Sequence, residues 1–207
     1  MELLLIRHAL PVRRELEDGA ADPGLAPEGR EQVGHLTQYL ASETLDAVYA
    51  SPLNRARETA APLAASQGVP IEQRAGIAEW DRNSPEYVPV EELKAANDPR
   101  WQAMLDGEWD SDESAEEFRD RVIGSIEEIV AAHPGQTVAA VCHGGVINCY
   151  LSHVIGLDHE ALGFFYPNYT SIHRVAASSR GHRSVVTINE TSHLRGTGLP
   201  MGLVQSG

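Results

Sequence analysis

The sequence predicts an α/β fold, a three-layer α/β/α sandwich with a mostly parallel sheet, on three observations. Short, largely apolar runs recur at residues 2–8, 46–50 and 137–142. Each is followed by a stretch with the apolar spacing of a helix. The resulting order, strand then helix, repeated, is the one that covers both faces of a parallel sheet with helices. With 207 residues, 42% of them hydrophobic, the chain can bury one substantial core, so a single domain over 1–207 is expected.

Each element has its own local reason. Leu3, Leu4, Leu5 and Ile6 form an apolar run of buried-strand length that ends at Arg7-His8. Residues 27–40 place Val33, Leu36 and Leu40 on one helical face. Residues 52–65 bring Leu53, Ala56, Ala60, Leu63 and Ala64 together, with Ser51 as the expected N-cap and Pro52 at the first helical position. Ser114 and Glu117 have capping-box spacing, and the stripe Phe118, Val122, Ile126, Ile129 and Val130 runs from there until Pro134-Gly135 stops it. Residues 144–155 offer Val146, Ile147, Tyr150, Leu151 and Val154 to the core. Residues 170–176 and 184–188 read as late strands joined through Ser178-Ser179-Arg180-Gly181, as a hairpin or a sheet edge.

Residues 76–113 are less regular. They contain Pro85, Pro89 and Pro99 and all three tryptophans, Trp80, Trp101 and Trp109. This segment is the expected cap insertion; its tryptophans either pack a pair of short helices onto the main domain or face a substrate. The tail from 193 to 207, with four glycines, is expected to be loose.

Sixteen Lys and Arg against thirty Asp and Glu give a formal charge of -14, which argues against nonspecific nucleic-acid binding. A small anion remains possible where arginines converge. No run of eighteen apolar residues and no secretory leader pattern occurs, so a cytoplasmic protein with no membrane association is expected. Cys142 and Cys149 are the only cysteines, too few for a disulfide framework, and Cys142 reads as a small buried residue closing a strand.

The chemistry concentrates in three segments: Leu5-Ile6-Arg7-His8, Ser51-Pro52-Leu53-Asn54-Arg55-Ala56-Arg57, and Val141-Cys142-His143-Gly144-Gly145. A phosphate ester repels nucleophiles, so its cleavage needs fixed positive charge on the nonbridging oxygens and a nucleophile that stays reactive beside it. Arginine supplies the charge, and neutral imidazole supplies the lone pair. Parallel sheets bind ligands beyond the carboxyl ends of their strands, where His8 and His143 would both fall. Arg7 and His8 can share one pocket only if the strand ends there and the backbone turns.

These segments resemble the signature motifs of the histidine phosphatase superfamily, the phosphoglycerate-mutase-like proteins, over most of the chain from Leu4 to about Leu194. Asn168-Tyr169-Thr170-Ser171-Ile172 and Asn189-Glu190-Thr191-Ser192-His193-Leu194 add weaker matches. The resemblance implies that His8 forms a phosphohistidine while Arg7, Arg55 and His143 hold the phosphoryl oxygens. Glu79 would protonate the leaving alkoxide, with Asp81 and Glu86 in reserve. It further implies a metal-independent phosphatase acting on a small phosphorylated metabolite, releasing inorganic phosphate and needing no cofactor. Phosphoglycerate mutase activity and a noncatalytic phospho-ligand-binding module are the alternatives. Ala9 stands where the family usually has glycine, and Leu10-Pro11 replaces its usual polar residues. Arg13, Arg14, Arg57 and Arg82 read as surface or ion-pair cations, and the remaining histidines show no zinc-ligand spacing. Oligomeric state and the leaving group are not encoded in any of these motifs.

Overall fold

A computed structural model describes residues 1–105, 111–157 and 164–202. Trp109, His159 and the last five residues of the expected loose tail lie outside the described residues. In chain order the elements are β1 (Glu2–Arg7), β2 (Arg14–Glu15), α1 (Pro27–Tyr39), β3 (Ala47–Ala50), α2 (Asn54–Gln67), β4 (Ile71–Gln73), β5 (Glu86–Tyr87), α3 (Val90–Ala95), α4 (Pro99–Leu105), α5 (Ala115–Ala132), β6 (Thr137–Cys142), α6 (Gly144–Ile155), β7 (Ile172–Ala177) and β8 (Arg183–Glu190). Six strands form one sheet in the order β4-β3-β6-β1-β7-β8. The four on the β4 side are mutually parallel, and β7 and β8 add an antiparallel edge.

Alternation along each central strand divides the core into two layers. Leu3 and Leu5 of β1, with Val138, Ala140 and Cys142 of β6, face Phe118, Val122, Ile126 and Ile129 of α5 and Val146 and Ile147 of α6. Leu4 and Ile6, with Ala139 and Val141, face Leu36 of α1 and Ala56, Ala60 and Leu63 of α2. The sheet therefore has helices on both faces, as expected. The capping box on α5 is present in both directions between Ser114 and Glu117. The late strands do form a hairpin, with Ser178 N–H donating to the His182 carbonyl across the turn.

One predicted boundary is corrected. Helix α2 starts at Asn54 with Leu53 as N-cap, not at Pro52 with Ser51 capping. The Ser51 hydroxyl is fully buried, where it accepts from Leu53 N–H at 3.3 Å and engages His143, while the part-buried Asn54 N–H donates to Asp22 Oδ1 at 2.7 Å from a distant loop.

Segment 76–113 includes two short helices, α3 and α4. Trp80 stacks on Phe118 with ring centroids 4.6 Å apart, so it belongs to the core. The segment also docks on the loop after β1: β2 pairs with β5, Leu16 N–H donates to the Pro85 carbonyl, and Ala21 N–H to that of Ser84. Among the described residues no helix is long and apolar enough to cross a membrane.

Candidate active site

The register of neighbouring strands places the two imidazoles side by side. Arg7 is opposite Cys142 across the β1–β6 pairing, so His8 and His143 leave the sheet at the same level. His8 N–H still donates to the Cys142 carbonyl, at 2.9 Å. Their rings lie 5.1 Å apart between centroids. The backbone turns directly after β1, so Arg7 also reaches this end: its guanidinium carbon sits 4.1 Å over the Tyr169 ring, and its Nη1 donates to the Pro167 carbonyl. The ring of His8 packs against the same tyrosine at 5.9 Å.

The His8 ring has a definite orientation. Its Nδ1 lies 2.8 Å from the Ala9 carbonyl, an acceptor only, so this nitrogen carries the proton and Nε2 carries the lone pair. Burial first, then Arg55 and Arg7, push the His8 pKa well below its ordinary value, which keeps the ring neutral. His143 is lowered likewise, by burial and then by Arg55 and His8. Ser51 Oγ lies 2.8 Å from His143 Nε2. Donation from that hydroxyl to Nε2 places the neutral ring's single N–H on Nδ1, a buried atom with no protein partner.

Arg55 is 1% exposed in the first turn of α2. Its Nη2 donates to Asp81 Oδ1 at 2.6 Å, and Tyr87 lies against its face at 4.6 Å. Burial opposes its charge, but Asp81 and Tyr87 outweigh that cost and hold the pKa above the ordinary arginine value. Its Nε and Nη1, like Arg7 Nε, are buried donors without protein partners. Thr59, one turn along α2, accepts from Ala9 N–H and donates to the Arg55 carbonyl. That hydroxyl ties the loop after His8 to the helix that carries Arg55.

Glu79 is set by the core. Arg121 of α5 donates to the carbonyls of Gly76 and Ala78 and to Glu113, which pins the backbone before Glu79 to α5. The carboxylate then accepts from Gly145 N–H at 2.8 Å and Trp80 N–H at 3.0 Å. Burial, then Asp81, raises its pKa above the ordinary carboxylate value despite those hydrogen bonds. A β-carbon on Gly145 would stand 2.4 Å from Glu79 Oε1, so the close approach requires glycine there.

The structure therefore brings Arg7, His8, Arg55, His143 and Glu79 to one end of the sheet. Of the reserves, Asp81 is in the site as the partner of Arg55, whereas Glu86 pairs with Arg100. Arg13 pairs with Glu15 and Glu92, and Arg82 with Glu113 and Asp112. Cys142 is fully buried and its thiol is pushed upward by burial, unlike an activated nucleophile. Among the described residues no group of three His, Cys, Asp or Glu side chains is arranged to hold a metal ion. Sequence reasoning missed Ser51, Thr59, Tyr87 and Tyr169 as site residues. Tyr169 lies in the quoted Asn168-Tyr169-Thr170 motif, and Ser51 opens the quoted segment that carries Arg55, as its expected N-cap.

Sheet order, strand-end imidazoles and buried guanidinium groups define a phosphoryl-binding α/β protein. A family model for the histidine phosphatase superfamily, branch 1, matches residues 3–191, and the chain belongs to that family. Phosphoserine phosphatase 1 of Hydrogenobacter thermophilus is 28% identical over 202 residues, covering 94% of each chain. The solved structure of Bacillus stearothermophilus YhfR matches with a TM-score of 0.75 at 25% identity, over 94% of this chain and 99% of that one. A phosphoserine phosphatase mutant from Entamoeba histolytica in complex with phosphoserine matches at 0.74 and 23% identity, over 93% and 98%; that likeness concerns the fold.

Proposed function

We propose that the protein hydrolyses a small phosphomonoester with His8 as nucleophile and without a metal. The observation that carries this reading is the His8 tautomer: Nδ1–H is held by the Ala9 carbonyl, and Nε2 is left with its lone pair beside buried donors on Arg7, Arg55 and His143. Those donors fit nonbridging phosphoryl oxygens, and the N-terminus of α6 adds the partial positive charge of its dipole. In the first step Nε2 forms a bond to phosphorus while the ester P–O bond breaks and Glu79 gives its proton to the departing oxygen. In the second, water attacks the phosphohistidine, Glu79 takes a proton from it, and His8 leaves with the N–P electron pair.

The same reading makes segment 76–113 a cap over the phosphate, since Tyr87 lies across Arg55. It places the protein among enzymes of soluble metabolites, released with inorganic phosphate into a reducing cytoplasm. A relative of nearly equal length carries the name phosphoserine phosphatase, which favours hydrolysis over mutase transfer and over a noncatalytic module.

The test compares native protein with His8→Ala on an aryl phosphate in the presence of chelator. Loss of phosphate release in the variant, with acid-labile phosphorylation of the native His8 peptide, is expected. Equal release by both proteins removes His8 as nucleophile. With 3-phosphoglycerate, formation of 2-phosphoglycerate faster than free phosphate would assign mutase activity instead.

A further inference from the structure

Two segments singled out in the sequence, Asn168-Tyr169-Thr170-Ser171-Ile172 and Asn189-Glu190-Thr191-Ser192-His193-Leu194, take no chemical part in the reaction above, yet the structure brings them together behind Arg7. The first forms a cradle for that arginine. Arg7 N–H donates to the Ser171 carbonyl, its own carbonyl accepts from Thr170 N–H, its Nη1 donates to the Pro167 carbonyl at 2.7 Å, and its guanidinium lies on the Tyr169 ring. Nε, the buried donor left for a phosphoryl oxygen, is thereby turned toward the start of α6, where a β-carbon on Gly144 would stand 3.9 Å from it.

The cradle does not hold itself. Pro167 has no N–H to anchor it, and Tyr166 beside it is exposed. Both peptide units flanking Pro167 are instead held by one side chain from β8. Asn189 Oδ1 accepts from Asn168 N–H at 2.8 Å, and Asn189 Nδ2 donates to the Tyr166 carbonyl at 3.1 Å. A donor on one side and an acceptor on the other leave a single orientation for that amide. Asn168 N–H and the Pro167 carbonyl belong to the same planar peptide unit, so Asn189 grips one edge of the plane and Arg7 the other. A tilt of that plane moves the guanidinium with it.

The backbone at Asn189 is shaped for this contact. From Glu190 back to Thr187, β8 takes three steps while β7 takes two, from Ile172 to Arg174, and a bulge of this kind re-aims the side chain it carries. Asn189 has a φ of +57°, in the left-handed region where glycine is unstrained and asparagine is among the best-tolerated alternatives. Its N–H donates to His173 Nδ1 at 3.3 Å, and His173 Nε2 lies 3.0 Å from Ser171 Oγ, so the bulge is anchored to the same cradle. A second tie between the two segments runs from His193 Nε2 to Thr170 Oγ1 at 2.9 Å, since that hydroxyl gives its own proton to the Tyr169 carbonyl. Resting on the phosphatase reading, we propose that Asn189 is a positioning residue for the reaction, its amide fixing the Pro167 peptide plane and so aiming Arg7 at the phosphoryl group. Glycine would satisfy the bulge; the amide is what satisfies the cradle.

Asn189→Gly isolates the amide, because it keeps the left-handed backbone and removes both side-chain hydrogen bonds. The value of kcat/KM on nitrophenyl phosphate is measured for the native protein, Asn189→Gly, Arg7→Ala and the double variant. Asn189→Gly is expected to lose about tenfold, as for a lost orienting hydrogen bond, and to change the rate by less than about twofold once Arg7 is absent. Dissociation constants of inorganic phosphate, from calorimetry on the same four proteins, repeat the comparison and decide it where Arg7→Ala turns over too slowly to follow. Asn189→Asp keeps the acceptor for Asn168 N–H but loses the donor to Tyr166, and its kcat/KM should fall between those of native and Asn189→Gly. A role confined to stability would lower the urea midpoint and leave kcat/KM of the folded protein intact, and a role independent of Arg7 would cost the same factor in the Arg7→Ala background; either result overturns the proposal for Asn189 alone. A native protein that neither releases phosphate from the ester nor binds it would instead overturn the phosphatase reading, and this proposal with it.

Discussion

A histidine can attack phosphorus only while neutral, and it must stay so beside two guanidinium groups. Here those groups enforce neutrality, after burial, by penalising the imidazolium. Because the His8 pKa is lowered, its neutral form persists as pH falls, and the acid limb of kcat/KM is expected below pH 6.5, the ordinary histidine value. Glu79 is shifted the other way, so it keeps a proton to donate above the usual carboxylate range. Glu79→Gln should lower kcat for an alkyl phosphate by roughly 10²–10⁴ and act much less on nitrophenyl phosphate, whose phenolate departs without a proton. Steady-state kinetics with both esters check this, and equal losses would remove Glu79 from the acid role. Ser51→Ala should also lower turnover, by about tenfold for a lost orienting hydrogen bond, with KM little changed; an unaltered kcat would dissociate Ser51 from His143. The strand-end residues Arg7, His8 and His143 were legible because each closes an apolar run. Ser51 was not, because its contact with His143 exists only through the pairing of β3 with β6.

Elements are aimed by close backbone approaches that side chains would forbid. The first turn of α6 offers Gly145 N–H to Glu79, with no room for a β-carbon between them. Gly145→Ala is expected to displace the carboxylate, reproducing the leaving-group-dependent loss of Glu79→Gln while the fold persists. Activity on alkyl against aryl phosphates measures it; an unchanged ratio would sink the assignment. Gly29 does the same for α1: a β-carbon there would stand 2.1 Å from the Leu10 carbonyl, which already accepts from Ala26 N–H. Gly29→Ala should therefore cost about 1–3 kcal/mol, as overpacking typically does, read from urea midpoints. Such approaches explain what local pattern missed. The start of α2 was misplaced because Asp22, more than thirty positions from Asn54, satisfies its first amide. Strands β2 and β5, two residues each, carry no periodicity to detect, yet their pairing brings Tyr87 to the site. The long helix α5, with a capping box and an apolar stripe, was legible at both ends.

At the scale of the whole molecule, the sheet that assembles the site also buries uncharged imidazoles, and this ties folding to pH. The order of strands, with β6 inserted between β1 and β3, was not legible, because apolar runs report burial and not neighbours; it is this order that sets His8 beside His143. His8 and His143 are lowered well below 6.5 and His173 and His193 to about 4, each first by burial. Well above pH 6.5 all four are neutral in both states and contribute no slope. Below it the unfolded chain binds protons that the native protein refuses, so stability is lost as pH falls, by up to about 1.4 kcal/mol per pH unit for each histidine. Glu79 opposes this by at most one proton, since its raised pKa lets the native state bind where the unfolded chain does not. With four histidines refusing protons and Glu79 offsetting at most one, the net slope between about pH 6 and pH 5 is therefore expected to approach about three protons. Urea unfolding at a series of pH values measures it directly. A stability that stays level or rises as pH drops from about 7 to about 5 would mean that the imidazoles accept protons in the folded protein, and a phosphohistidine mechanism that depends on a neutral His8 would fail with it.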